Sequence, residues 1–280
     1  MRPSSNDRNN KPDLVICIPS RAELSDETRC ALANNLGSIA HVVRNVRGKL
    51  VIDARNELAQ TALRSDAEYT LWLDDDAFFE PGTIERLLAS LRMHPEIDML
   101  GTYSCDRKPF CSPSSYISHD GALYPLVENG MPATIQVPQW APRFTTGDVV
   151  PIDVCAFHGV LMRTSLLERV GPSPFNLEPN SGVGEDFNFC LRAKRIGAQL
   201  ATDTGATVAH VDIENGFAFI PYRRPGKIVA NRFSVHPDPR PSLEIAQAWR
   251  DADIRANRRY GESLDRLFKL ALERQRRRGK

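Results

Sequence analysis

Short apolar runs alternate with segments of helical periodicity along residues 14–103. The first run, Leu14 to Ile18, is continuously apolar and ends at Pro19, which is typical of a buried parallel strand. Ser25 to Thr28 offers N-caps for a helix that reaches about Ala40. The alternation continues with predicted strands at 41–46, 69–73 and 99–103 and predicted helices beginning near Ile52, with Asp53 as a plausible cap, and at Pro81. This order predicts an α/β fold in which helices flank a mostly parallel sheet.

The pattern changes after residue 103. Residues 104–150 are rich in Pro, Ser and Gly, so they predict a long loop or lid with a small hairpin. Regular patterns then return, with predicted strands at 152–162 and 207–211, predicted helices at 164–170 and 185–196, and a helical pattern from Leu243 onward. We divide the chain into a disordered lead-in (1–12), one α/β domain (13–215) and a largely helical C-terminal extension with a basic tail (216–280).

Composition allows a sizeable core and gives no global attraction to a polyanion. Charged residues make up 25% of the 280 residues and apolar residues 41%, and the formal net charge is +1. The charge is unevenly distributed, because residues 249–280 contain eleven Lys or Arg against five Asp or Glu. This segment predicts either an anionic partner for the tail or a solvated helix whose acids pair with neighbouring arginines.

The cysteines and the start of the chain predict a soluble, cytoplasmic protein. None of the six cysteines forms a C-x-x-C pair, and several lie in apolar runs where Cys packs as a small apolar side chain. Reduced thiols are therefore expected. Residues 1–13 lack the apolar stretch of a signal peptide, and no apolar run approaches the roughly 18 residues that span a bilayer.

Three consecutive carboxylates, Asp74, Asp75 and Asp76, follow the strand predicted at 69–73. They repel one another at the end of a buried strand unless a cation is bound there, and oxygen ligands of this kind suit Mg²⁺ or Mn²⁺. Alternation along an extended chain would place Asp74 and Asp76 on one side, where both can reach one ion. Alternatively, the triplet is an acidic turn that caps the following helix.

Two further segments carry candidate chemistry, each with a structural alternative. Glu185 and Asp186 open a predicted helix after Gly184, where an acid can act as a general base or simply complement the helix dipole. His210 lies in an apolar strand, where a lone histidine is either a ligand or a satisfied core residue.

The order of these motifs resembles that of GT-A glycosyltransferases, close to the family 2 type and to related phage and bacterial enzymes. The resemblance runs from Leu14 to Val211. It rests on the first strand with Pro19, Ala54-Arg-Asn56, the D-x-D after a strand, Cys155-Ala-Phe-His-Gly159 with Arg163, G-E-D-F-x-F-C-x-R-A from Gly184, and His210. It implies a GT-A fold with a nucleotide-binding half at about 13–103 and an acceptor half at about 151–215.

The resemblance also implies roles for individual residues. Asp74 and Asp76 match the D-x-D, and His210 is similar to a downstream histidine that binds metal in part of the superfamily; these three are the expected ligands of a divalent Mn or Mg ion. Asp186 matches the base of inverting members, with Glu185 as its neighbour. The residues expected to contact the donor are Pro19, Ser20, Arg21, Arg55, Asp74 and Asp75.

The expected activity is metal-dependent transfer of a sugar from a nucleotide-sugar donor, with a UDP-sugar favoured, to an acceptor hydroxyl. The acceptor stays open between a glycan, a lipid-linked sugar, a protein and a modified DNA base. One alternative is a nucleotidyltransferase or another enzyme that cleaves nucleotide phosphates. The loop after the first strand has no glycine, and P-loop and dinucleotide motifs are missing, which argues against that alternative. A second alternative is a nucleic-acid-binding protein that acts through the basic C-terminal helix.

Overall fold

The computed structural model describes residues 12–21, 23–37, 39–105, 113–129, 143–178, 183–212, 217–219, 221, 226–229 and 232–235. These residues all fall in one compact unit within residues 1–235. Most of the predicted lead-in, the helix predicted from Leu243 and the basic tail lie outside the described residues.

The described residues form five helices and sixteen strands. The helices are α1 (Asp26–Leu36), α2 (Val51–Arg64), α3 (Thr83–Met93), α4 (Thr164–Val170) and α5 (Glu185–Arg195). The strands are β1 (Leu14–Ser20), β2 (His41–Arg47), β3 (Tyr69–Leu73), β4 (Ala77–Phe79), β5 (Met99–Tyr103), β6 (Ser115–His119), β7 (Ala122–Pro125), β8 (Val127–Glu128), β9 (Arg143–Phe144), β10 (Val149–Pro151), β11 (Val154–Cys155), β12 (Gly159–Arg163), β13 (Leu200–Asp212), β14 (Phe217–Phe219), β15 (Gly226–Val229) and β16 (Arg232–Val235).

One large sheet runs through the described part of the chain. Its strand order is β16-β15-β14-β13-β5-β12-β3-β1-β2, with β4 and β10 also paired to β13. β1 is parallel to β2 and β3, and β13 is parallel to β5, whereas β12 runs antiparallel to both β3 and β5. The predicted α/β class with a mostly parallel, helix-flanked sheet is confirmed.

Helices cover both faces of this sheet. α1 and α3 pack with alternate strand residues into one apolar cluster, which includes Ile16 and Leu71. α2, α4 and α5 form a second cluster on the opposite face, which includes Cys17 and Trp72. Successive residues of a strand point to opposite faces, so the buried strands are apolar on both sides and need a layer of helices on each. Because helices cover both faces of the sheet, a ligand can reach it only at the ends of the strands.

The N-termini of α1 and α2 differ in how well the sequence predicted their capping residues. Ser25 caps α1, where its hydroxyl accepts a hydrogen bond from the amide of Thr28 over 3.0 Å. In α2, the cap position is Leu50, and Asp53 lies inside the first turn. An acid in that turn still favours the positive end of the helix dipole, which is why Asp53 looked like a cap in sequence.

The described parts of residues 113–150 contain the hairpin that the sequence predicted. β6 and β7 pair antiparallel and are joined by Asp120 and Gly121, with φ of 49° and 78°. Two successive positive φ angles are those of a type I′ turn, which favours an Asp-Gly pair. After the hairpin, β9 pairs with β8 and β10 pairs with β13, and β11 follows in the chain.

The C-terminal boundary differs from the one expected at residue 215. The described residues of 217–235 are strands β14, β15 and β16, which continue the large sheet from β13 by antiparallel pairing. The assignment of 216–280 to a largely helical extension therefore does not hold for this stretch. Its apolar and β-branched residues had no alternation clear enough to predict strands.

None of the helices in the described ranges is long and apolar enough to cross a membrane.

Candidate active site

The acidic turn of Asp74, Asp75 and Asp76 connects β3 to β4 at one end of the large sheet. The amide of Ala77 donates to the carbonyl of Asp74 over 3.3 Å and closes the turn. The buried hydroxyl of Thr28 lies 2.9 Å from the carbonyl of Asp75 and 3.1 Å from that of Ala77. The first turn of α1 therefore fixes the backbone of the acidic turn, and the three carboxylates leave it toward different partners.

Asp74 is held on both of its oxygens. Nη2 of Arg55 lies 3.1 Å from Oδ1, and Nδ1 of His158 lies 2.8 Å from Oδ2. Burial acts to raise the pKa of Asp74, but the hydrogen bond to His158 and the charges of Arg55, His158 and His210 outweigh it, so this pKa lies well below its ordinary value. Asp74 is therefore an ionised acceptor at neutral pH, and His158 is the donor.

Asp76 is paired with His210 at the opposite side of the turn. Nε2 of His210 lies 2.9 Å from Oδ2 of Asp76, and both residues are 9% exposed. The antiparallel register of β4 and β13, in which His210 is opposite Ala77, produces this contact, and the amide of Val211 donates to the carbonyl of Asp76 over 2.8 Å. The rings of His158 and His210 lie 4.4 Å apart, so the two carboxylate–histidine pairs are neighbours.

The Asp76–His210 pair has the donor chemistry of a divalent metal site. Two ligands at right angles on an ion, with bonds of about 2.1 Å, lie about 3 Å apart, and Oδ2 of Asp76 and Nε2 of His210 are separated by 2.9 Å. Nδ1 of His210 is buried and has no hydrogen-bond partner among the described residues. Within the described ranges, no three His, Cys, Asp or Glu residues are grouped to hold an ion. Such an ion would therefore need substrate oxygens, which is usual for Mg²⁺.

Asp75 is directed away from the two carboxylate–histidine pairs, toward the end of β1. Its Oδ2 accepts a hydrogen bond from the amide of Arg21 over 3.1 Å. Burial raises the pKa of Asp75, the amide of Arg21 acts to lower it, and the neighbouring charge of Asp76 adds to the rise. Pro19 and Ser20 are the last residues of β1, so the whole expected donor loop lies beside the acidic turn.

Arg55 joins the acidic turn to the start of α5. Besides Asp74, its guanidinium binds Glu185, with Nη1 2.6 Å from Oε1. The Arg55 side chain is only 5% exposed, and Glu185 and Asp74 are 15% and 23% exposed. Burial acts to lower the pKa of Arg55, but the charges of Asp74, Glu185 and Asp186 raise it above its ordinary value. A buried guanidinium between carboxylates is a permanent cation and a fixed structural link.

Aromatic side chains support Arg55 from the other side. Cζ of Arg55 lies 5.2 Å from the centre of the Phe157 ring and 5.8 Å from that of Phe175. Asn56, the next residue of α2, donates to the carbonyl of Phe175 over 2.7 Å and accepts from its amide over 3.1 Å. This pair of bonds fixes the chain after α4 against α2. In the Ala-Arg-Asn motif, Arg55 thus lies in the site, and Asn56 fixes the segment at Phe175 that packs beneath it.

Asp186 is half-buried in the first turn of α5. Burial raises the pKa of Asp186 to about 6, with the charge of Arg55 opposing the rise and that of Glu185 adding to it. Its Oδ1 accepts from the amide of Phe187 over 2.8 Å. A Cβ placed on Gly184 would lie 2.8 Å from the same oxygen, so the glycine makes room for this carboxylate. A carboxylate with a pKa near neutrality is suited to taking a proton.

The structure brings together most of the residues that the sequence singled out and adds one that was missed. Arg55, Asp74 and Glu185 share contacts, and Asp76 contacts His210. The missed residue is His158, which stands in the sequence within the Cys155–Gly159 motif. A signal was present, because His158 precedes a strand, but placing it beside Asp74 requires knowing that β12 runs antiparallel to β3 with Gly159 opposite Leu73.

One sequence family matches the first part of the chain. The family described as glycosyl transferase family 2 matches residues 19–170, which is more than half of the 280 residues. The chain belongs to glycosyl transferase family 2. The matched segment contains Pro19 to Arg21, Arg55, the acidic turn and His158, whereas α5 and His210 lie beyond its end.

Solved structures show the same fold. The chain is similar to the crystal structure of A197 from STIV, with a TM-score of 0.52 and 15% sequence identity over 76% of this chain and 92% of that one. At this identity the likeness shows the fold alone. No curated protein matches the chain. The predicted resemblance to GT-A glycosyltransferases of the family 2 type is therefore confirmed, and it rests on the family match and the fold.

Proposed function

We propose that this family 2 glycosyltransferase moves a sugar from a nucleotide-sugar donor, a UDP-sugar in the first instance, to an acceptor hydroxyl, with inversion and with a bound Mn²⁺ or Mg²⁺. One observation carries the proposal. The Asp76–His210 pair and the carboxylate pair of Glu185 and Asp186 belong to one constellation at the sheet end, connected through Asp74 and Arg55.

The charge balance of this constellation favours a cationic ligand. The acidic turn supplies three carboxylates and the first turn of α5 supplies two more, whereas Arg55 is the arginine that pairs with them. Partly buried carboxylates at this density repel one another unless a cation is present or protons are taken up. A divalent ion held by Asp76 and His210 would neutralise charge on the leaving nucleoside diphosphate.

Asp186 is the proposed general base. It is half-buried beside Arg55, and its pKa of about 6 leaves it ionised at neutral pH while keeping it basic enough to accept a proton from a hydroxyl. The hydroxyl of the acceptor would then attack the sugar from the face opposite the nucleotide, which gives inversion. Glu185 is bound to Arg55 and is less free to act in this way.

The end of β1 is the proposed contact for the nucleotide. Ser20 is buried, and the amide of Arg21 is bound to Asp75, so this loop is held against the acidic turn. We also propose that the enzyme acts in the cytoplasm. The support is its cysteine use, since Cys17, Cys155 and Cys190 are buried free thiols among the described residues.

The test is to incubate the purified chain with UDP-, GDP- and dTDP-sugars in the presence of Mn²⁺ and to measure the nucleotide product. Release of a nucleoside diphosphate from one donor class, abolished by a chelator and restored by Mn²⁺ or Mg²⁺, is the expected result. An Asp186→Asn variant should still bind the donor and lose transfer to added acceptors. Release of sugar 1-phosphate, with the nucleoside monophosphate transferred to the acceptor or to water, would favour the nucleotidyltransferase alternative and overturn the proposal.

A further inference from the structure

We infer that Arg55 is a positioning residue that fixes the first turn of α5 to the acidic turn, and that Glu185 is its counter-ion and not a second base. This inference rests on the proposed function, since it assigns Asp186 alone to proton removal. It changes the role expected for Arg55 from a contact with the donor to an internal link between the two halves of the site.

The first argument is the enclosure of the Arg55 side chain. It is 5% exposed, and its two terminal nitrogens are directed to different carboxylates, Nη1 to Glu185 at 2.6 Å and Nη2 to Asp74 at 3.1 Å. The rings of Phe157 and Phe175 lie 5.2 and 5.8 Å from Cζ. Nε of Arg55 is buried without a hydrogen-bond partner among the described residues, and the two terminal nitrogens could turn to the phosphates of a donor only by breaking one of these pairs.

The second argument concerns distance along the chain. The bonds of Arg55 join residues 130 and 19 positions apart, one on α5 and the other after β3. α5 begins at Glu185, and Gly184 at its N-cap offers no side chain to cap it. The Arg55–Glu185 pair therefore holds the first turn of α5 at a fixed distance from the acidic turn, and Asp186 is the next residue on that turn.

The third argument is that the adjacent acids Glu185 and Asp186 have different hydrogen-bond partners. Oε1 of Glu185 accepts from Arg55, whereas Oδ1 of Asp186 accepts a local bond from the amide of Phe187. The Glu185 carboxylate cannot turn toward an acceptor hydroxyl without leaving the buried guanidinium of Arg55 uncompensated. Asp186 faces Arg55 of α2, Glu185 on its own helix, His158 before β12 and Cys155 of β11. Within the described part of the chain it has no side-chain ion pair of its own.

The test compares Arg55→Gln, Arg55→Lys, Glu185→Gln and Arg55→Gln/Glu185→Gln in the full chain. We expect Arg55→Gln to lower kcat on the order of 10²-fold, as misplacement of a base does, with a smaller loss of UDP affinity. Glu185→Gln should lower kcat by about tenfold or less, since base catalysis by Asp186 is retained. Arg55→Lys keeps the charge but cannot bind two carboxylates as a fork, so it should lower kcat without moving the acidic limb of the pH profile.

The acidic limb of the pH profile of transfer distinguishes an electrostatic effect of Arg55 and Glu185 on Asp186 from a purely structural effect of the two substitutions. Removing the positive charge of Arg55 should shift this limb to higher pH, and removing the negative charge of Glu185 should shift it to lower pH, because the two charges act on Asp186 in opposite directions. Loss of transfer by 10²-fold or more in Glu185→Gln, with the acidic limb abolished, would make Glu185 the base and overturn the inference. If the UDP dissociation constant of Arg55→Gln rises by the same factor as its rate of transfer falls, Arg55 contacts the donor and is not a positioning residue.

Urea unfolding separates this inference from the proposed function. The two single variants and the double variant form a thermodynamic cycle, and residues that share a buried ion pair give a non-additive result. A coupling in this cycle is expected even if the chain transfers no sugar from any donor tried. Additive effects of Arg55→Gln and Glu185→Gln would overturn the link. If Arg55→Gln does not fold, Arg55→Lys replaces it in the cycle and in the kinetics.

Discussion

His158 donates a hydrogen bond from Nδ1 to Oδ2 of Asp74 over 2.8 Å, across the antiparallel pair of β12 and β3. The acceptor is ionised, since the pKa of Asp74 lies well below its ordinary value. With Arg55 on the other oxygen, this bond fixes the carboxylate at the strand end and leaves the Asp76–His210 pair beside it. His158 is thus part of the frame that orients the acidic turn.

The histidine can be tested with two substitutions that differ in one hydrogen bond. His158→Ala should lower kcat/KM by about 10- to 100-fold, because a hydrogen bond to a charged group contributes about 1.5–3 kcal/mol. His158→Asn should stay within about threefold of the wild type, since the amide of Asn can reach where Nδ1 lies. His94→Ala is the matched control, because His94 also faces a carboxylate, Glu96, but on the surface after α3. Equal losses in the Ala and Asn variants would show that the hydrogen bond is not what matters.

The raised pKa of Asp186 predicts the pH dependence of transfer. As a base, Asp186 acts only when ionised, so the rate should fall tenfold per pH unit below its pKa of about 6 and level off above it. The measurement is kcat/KM between pH 4.5 and 8.5 in buffers of constant ionic strength. Asp186→Asn should remove this limb and lower the rate on the order of 10²-fold. A limb that persists unchanged in Asp186→Asn belongs to another group.

The same carboxylate should cost stability when it is ionised. Its folded pKa of about 6 is raised above the unfolded value, so the folded state is penalised once pH exceeds about 6, and the penalty vanishes below the unfolded pKa, near pH 4. Asp186→Asn should therefore raise the free energy of unfolding by on the order of 1–2 kcal/mol at pH 8. At pH 4 it should change little. Urea unfolding at both pH values checks this, and a variant less stable than the wild type at pH 8 would show that ionised Asp186 is well compensated.

The sequence predicted the framework of the site because strands and helices carry strong local signals. The acidic turn follows a strand, β3, whose predicted bounds coincide with the observed ones, and α5 begins at Glu185 as expected. The position of His210 beside Asp76 required the register of β4 and β13, which pairs residues 129 to 133 positions apart. Local periodicity contains no such information.

Side-chain pairing was less predictable than backbone placement. Extended alternation at 74–76 would place Asp74 and Asp76 together on one ligand, but the chain turns there, and their carboxylates meet different histidines. The role of Arg55 was likewise set by Glu185, which is distant in sequence. Strands β14–β16 were missed because short strands at a sheet end gain their stability from pairing and not from their own pattern.

The basic tail, which lies outside the described residues, supports one further prediction. No acidic residue follows Glu273, whereas Arg274 to Lys280 contain five positive charges. Deletion of these residues should leave donor hydrolysis intact and weaken binding to a polyanion such as DNA or to an anionic membrane surface, with steep loss on adding salt. Full-length and shortened chains can be compared on a DNA duplex and on anionic vesicles at two salt concentrations. Equal, weak binding by both would leave the tail as solubilising charge.

Binding of UDP in the presence and absence of Mn²⁺ tests the central claim most directly. If Asp76 and His210 hold the ion through which the donor diphosphate binds, replacing Mn²⁺ with a chelator should weaken UDP binding by about tenfold or more, as loss of an important metal contact does. His210→Ala and Asp76→Asn should show the weakened affinity even with Mn²⁺, and His94→Ala should bind as the wild type does. The same UDP affinity with Mn²⁺ and with chelator, or a His210→Ala variant that keeps the full Mn²⁺ effect, would contradict the account.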